Sequence, residues 1–153
     1  MRRIAAITLT LAALIEVGCG DPAEPSAGAA SLEVTPDTVV AQRSPQGWST
    51  FTVTATLRNT SERVATLVCA RSLEHEQAER WVPVWTSICT MSTGAEVAIA
   101  PGEAQSIGVA VTTGLGNWTG SVVPGRYRMV QGVLFSGAEH SEAIVSNAFT
   151  VRY

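Results

Sequence analysis

A two-sheet antiparallel β-sandwich of seven or eight strands is the fold this sequence predicts, and three observations carry the prediction. Residues 49–58, STFTVTATLR, set Phe51, Val53, Ala55 and Leu57 against Thr52, Thr54, Thr56 and Arg58, the period of two that gives a strand one buried face. Short segments of this kind recur along the chain, separated by turn material such as RNTSE, APGE, TTGLGN and VPGR. From residue 31 onward no segment carries a convincing helical period.

The remaining strands are expected at 31–35 (SLEVT), 63–73 (RVATLVCARSL), 80–89 (RWVPVWTSIC), 95–100 (AEVAIA), 104–113 (AQSIGVAVTT), 126–135 (RYRMVQGVLF) and 143–152 (AIVSNAFTVR). Pro83 has no N–H to give a ladder, so the segment that holds it belongs at a sheet edge or at a bulge. Residues 64–73 and 81–89 are expected to form a hairpin around the polar tip EHEQAER, in a register whose paired positions sum to 158. That register sets Cys69 opposite Cys89. A disulfide between them would stabilise by about 3 kcal/mol in the chain-entropy model; the alternative is two separate buried thiols. A zinc site fits less well, since no Cys or His partner stands at C-x-x-C spacing. Trp81 and Trp85 share parity with Cys89, which predicts that they pack on one sheet face around the disulfide.

The composition bounds the function. In 153 residues there is room for one domain and an export segment, with 46% hydrophobic and 15% charged residues and a net charge of −3. All ten basic residues are Arg and they are scattered, so the clustered cationic face that nucleic acid requires is absent from the pattern.

At the amino terminus Arg2 and Arg3 precede the apolar stretch Ile4 to Ile15, then Gly18 and Cys19. The run is shorter than the roughly 20 residues of a membrane-spanning helix and has the layout of a signal peptide. A cysteine after a small residue resembles the lipobox of bacterial lipoproteins, in which the cysteine is diacylated and becomes the first mature residue. The sequence departs from that pattern at Glu16, where Leu is usual. The expected organisation is a signal peptide at 1–18, a flexible Pro-, Ala- and Gly-rich tether at 19–30 carrying the lipid on Cys19, and a folded domain at 31–153. Cleavage after Ala27-Gly28-Ala29 is the alternative, and it would release the domain in soluble form.

No catalytic, metal or cofactor site is expected. HEQAE at 75–79 begins like the H-E-x-x-H zinc motif but ends in Glu79, and it is expected as a solvated hairpin tip. Ser136, Glu139, His140, Ser141 and Glu142 fall within one turn, whereas a hydrolytic triad is assembled from separate elements around an oxyanion hole. Trp48 and Trp118 lie near loops and are candidate aromatics for a protein or glycan partner. Tyr127 follows a Pro-Gly turn at the start of a late strand, the place of a tyrosine corner whose hydroxyl bonds back to the preceding loop.

The series TATLRNTSE, ERWVPVW, IAPGEAQSIGV, VPGRYRMV and SNAFTV resembles the immunoglobulin-like domains of bacterial exported proteins and lipoproteins over residues 31–153. The resemblance implies an immunoglobulin-like or fibronectin-like sandwich in the cell envelope, with a structural or binding role and no catalysis. A more distant similarity, in turns and aromatics only, is to the intracellular proteinase inhibitors of bacilli, and it implies a partner-binding inhibitor. The export signal argues against that location.

Overall fold

The computed structural model describes residues 28–88, 97–113 and 124–153. Among these the chain forms β1 (Ala30–Val34), β2 (Thr38–Val40), β3 (Gln42–Arg43), β4 (Ser49–Asn59), β5 (Ala65–Gln77), β6 (Arg80–Thr86), β7 (Val97–Ile99), β8 (Ala104–Thr112), β9 (Gly125–Phe135), β10 (Glu142–Val145) and β11 (Phe149–Arg152). Two sheets result, and no helix occurs among the described residues. In the first, β4 lies between β8 on one side and β1 and β3 on the other. The second runs β2, β11, β9, β5, β6, with β10 on β9 and β7 on β5. All strand pairs are antiparallel except β2 with β11, which are parallel.

Alternation decides which face of each strand is buried. Along β4 buried and exposed residues alternate from Ser49 to Asn59, as the sequence pattern predicts. Along β9 the odd-numbered residues Tyr127, Met129, Gln131, Val133 and Phe135 are buried. All of these except Gln131 meet Val53 and Leu57 of β4, Leu73 of β5, Val109 and Val111 of β8 and Val151 of β11 in one core. Each such aliphatic or aromatic side chain contributes roughly 1.5–3 kcal/mol by leaving water.

The turns follow their chemistry. Asn59 is fully buried, and its Nδ2 donates to the Arg63 and Ile99 carbonyls at 2.7 and 3.0 Å while its Oδ1 accepts from the Ser61 N–H and hydroxyl. The RNTSE turn is therefore satisfied from within. Pro101 and Gly102 follow a type II pattern, with Gly102 at φ 79° and the Glu103 N–H closing on the Ala100 carbonyl at 3.1 Å.

Several expectations are corrected. The 64–89 hairpin is longer at its tip: β5 continues to Gln77, β6 starts at Arg80, and the turn is only Ala78 and Glu79. Both turn residues have positive φ, 48° and 64°, the type I′ geometry that matches strand twist. The polar run at 74–77 is thus strand rather than solvated tip. The expected register holds for Ser72 with Thr86 and Leu73 with Trp85, then shifts by one at a bulge at Val84, so that Glu74 faces Pro83. Pro83 is accordingly both beside a bulge and on the edge strand. The predicted strand at 143–152 breaks into β10 and β11, because the Asn147 side chain turns to hydrogen-bond the Val34 backbone. The short β2 and β3 were not anticipated.

Candidate functional site

A groove of about 450 Å³ crosses the second sheet over β5, β6, β9 and β10. Its floor is made by Ala70, Val130, Gly132 and Ala143, and Ser72 and Thr86 stand beside them. The small floor has a local cause. Between the pairs Leu67 with Val133 and Arg71 with Gln131, three residues of β5 lie opposite Gly132 alone. A Cβ at position 132 would come within 2.6 Å of Val68 Cγ2 and 3.1 Å of the Ala70 carbonyl oxygen, so only glycine fits under the bulge.

Arg71, Ser87, Ser141 and Glu142 complete the lining. The Arg71 Nε donates to Gln131 Oε1 at 2.6 Å, and the Gln131 amide donates to the Val68 and Gly132 carbonyls, both at 2.8 Å. A fully buried glutamine thereby satisfies the carbonyls that the bulge removes from the ladder. Burial lowers the Arg71 guanidinium from its ordinary value. Sequence reasoning passed over this network. The signal available was a polar residue, Gln131, at an inward position between Met129 and Val133.

A second polar constellation lies toward the hairpin tip. Arg128 Nε bonds Glu74 Oε2 at 2.6 Å, with both side chains about 15% exposed, and the Arg128 guanidinium lies 4.7 Å from the centre of the Trp81 ring. Arg126 and Glu76 form a more open pair at 2.8 Å. Trp81 thus stacks on a charged pair while Trp85, 9% exposed, enters the core. The expectation that the two tryptophans share a face fails, because the extra residue at Val84 reverses the parity between them.

The candidate chemistries separate. His75 is 8% exposed, stacks on Tyr127 at 4.6 Å between ring centres, and lies within β5 between two arginine-paired glutamates. Burial lowers its pKa from 6.5, opposed by the charge of Glu76. Ser136, Glu139, His140, Ser141 and Glu142 are exposed, and no hydrogen bond among the described residues joins any two of them. Among the described residues no group of three His, Cys, Asp or Glu side chains is placed to hold a metal. Tyr127 is 1% exposed, stacked between His75 and Phe149. The loop that its corner bond would reach falls largely outside the described residues. Trp48 is 49% exposed at the turn into β4 and does not line the groove. Cys19, Cys89 and Trp118 lie outside the described residues.

No family model matches the chain, and no curated protein matches it. Among solved structures it is similar to the structural-genomics target SoR45, at 15% identity and a TM-score of 0.54, over 80% of this chain and 84% of that one. It is also similar to the putative ApaA protein from Bordetella pertussis, at 16% identity and a TM-score of 0.46, over 79% of this chain and 87% of that one. A β-glucosidase from Erythrobacter marinus matches at 16% identity and a TM-score of 0.39, over 80% of this chain but 15% of the enzyme. The SoR45 likeness speaks to the fold alone, and the other two carry no argument.

Proposed function

We propose that the chain is an exported, lipid-anchored immunoglobulin-like module of a bacterial envelope, with a non-catalytic binding role on the outer face of its second sheet. The observation that carries the binding role is the groove over β5, β6, β9 and β10, small-floored and walled by hydroxyls and Arg71. The strand arrangement supports the immunoglobulin-like reading. In that reading β1, β4 and β8, which neighbour one another in that order, would correspond to strands A, B and E, and β5, β9 and β10–β11 to C, F and G. β7 departs from it, since it pairs with β5 rather than with β8.

Export draws its support from the amino-terminal pattern and from the cysteines. The Ser87 N–H donates to the Arg71 carbonyl at 2.8 Å, so the 158 register extends past Thr86 toward Cys89. A disulfide between Cys69 and Cys89 would befit an oxidising compartment. The non-catalytic reading is supported by Ser136, Glu139, His140, Ser141 and Glu142, which are exposed and no two of which are joined by a hydrogen bond among the described residues.

Intact and peptide-level mass spectrometry, on protein expressed in a lipoprotein-processing bacterium, tests this reading. A diacylated Cys19 terminus and a linked Cys69–Cys89 peptide are expected. An unmodified terminus near Ala30 would replace the anchored module with a secreted, inhibitor-like partner binder.

A further inference from the structure

Every sheet ends in two edges, and among the described residues all but one of these edges are short, covered or guarded. At β1, Leu32 bridges Ser146, and Asn147 accepts from the Val34 N–H at 2.7 Å and donates to its carbonyl at 3.3 Å. β2 is three residues long. β6 carries Pro83 and a bulge. β8 differs from all of these.

The direction of its free groups follows from its partner. The Asn59 N–H donates to the Glu103 carbonyl and the Thr113 N–H to the Ser49 carbonyl, so odd-numbered residues of β8 bond to β4. The N–H and C=O groups of Ala104, Ser106, Gly108, Ala110 and Thr112 therefore point to the opposite edge. Among the described residues no strand pairs there, and the one bond found on those groups is from the Gln105 side chain to the Ser106 carbonyl. The pairing to β4 runs from Ala104 to Thr112 without a bulge, and the segment AQSIGVAVT holds no charge and no proline. The devices that keep an edge single are missing.

We infer that this edge pairs with the same edge of a second copy of the chain, antiparallel about a two-fold axis at Gly108. The strand is self-complementary in that register. Gly108 meets Gly108, Ser106 meets Ala110, and Ala104 meets Thr112 on the solvent face, all small and uncharged. On the inner face Ile107 meets Val109, an apolar cross-strand pair. Two copies of a neutral edge repel nowhere, and the contact is isologous and closes at two. The inference is independent of the groove, which lies on the other sheet.

The test uses the full chain with Gly108→Cys, mildly oxidised and run without reductant, alongside Glu139→Cys at an exposed loop. Hydrogen-bonded neighbours sit about 5.5 Å apart between Cα atoms, within disulfide reach. A disulfide-linked dimer is expected for Gly108→Cys alone, and adding Ala110→Pro or Ala110→Lys should abolish it while the monomer still unfolds cooperatively. Sedimentation of the parent chain should show a dimer that either Ala110 variant converts to monomer. A parent chain that stays monomeric, a dimer unchanged by both Ala110 variants, or a cross-link to some other polypeptide overturns the inference.

Discussion

β6 and β8 are the long edge strands of the two sheets, and they treat their free sides in opposite ways. From the Ala78–Glu79 turn the ladder alternates, with Gln77 and Arg80 bonded and Glu74 and Pro83 not, so the missing N–H of Pro83 falls on the free side of β6. The adjacent bulge and the Arg128–Glu74–Trp81 cluster add irregularity and charge. β8 has none of these, and its outward residues are neutral and small. The difference teaches that exposure of an edge is a local choice of sequence, since one chain in one fold both guards an edge and leaves one open.

The comparison breaks most visibly under proline substitution in β8. Val109→Pro deletes a bond to β4 and should cost about 3 kcal/mol or more, whereas Ala110→Pro removes an N–H that faces the free side and should cost well under half of that. Urea unfolding of the two variants decides it, and equal costs would mean that the assigned free side of β8 is wrong. On the guarded side, Arg128→Ala should cost about 2 kcal/mol, because Glu74 is left largely buried without its partner and Trp81 loses its cation. A double-mutant cycle with Glu74→Gln should return a clear coupling energy.

His75, paired across from Val82 of β6, gives a smaller and pH-dependent effect. Its folded pKa is lowered by burial, so the unfolded chain binds the proton more readily. The stabilisation it lends is present above its ordinary pKa of 6.5 and is lost as pH falls through the lower folded value. Chemical unfolding of the parent and of His75→Gln between neutral and mildly acidic pH should show the parent losing more stability. The smallest change is expected from Pro83→Ala, within about 0.5 kcal/mol by thermal or urea unfolding, since the restored N–H meets water.

Much of this was legible because burial writes a period into sequence. β4 and β9 were found within a residue at either end, each having one face in the core and one in solvent. β2 and β3 were not, since segments of three and two residues are too short to write a period, and β2 is held by a partner far away in sequence, Val39 on Val151, while β3 only folds back on β4 at Gln42 and Thr50. Pro83 announced an edge or a bulge, but not that the bulge at Val84 would send Trp81 and Trp85 to opposite faces. The groove was illegible for a related reason. Its floor gathers small residues from three strands around a three-residue bulge, and no local pattern encodes that meeting.

The most direct measurement is amide hydrogen exchange along β8, resolved by residue and repeated over a range of protein concentrations. At high dilution the amides of Ile107, Val109 and Val111 should be protected and those of Ser106, Gly108 and Ala110 should exchange fast, with protection of the second set rising as concentration increases. Equal protection of both sets at high dilution, or fast exchange of the second set at every concentration, would contradict an open edge that pairs with its own copy.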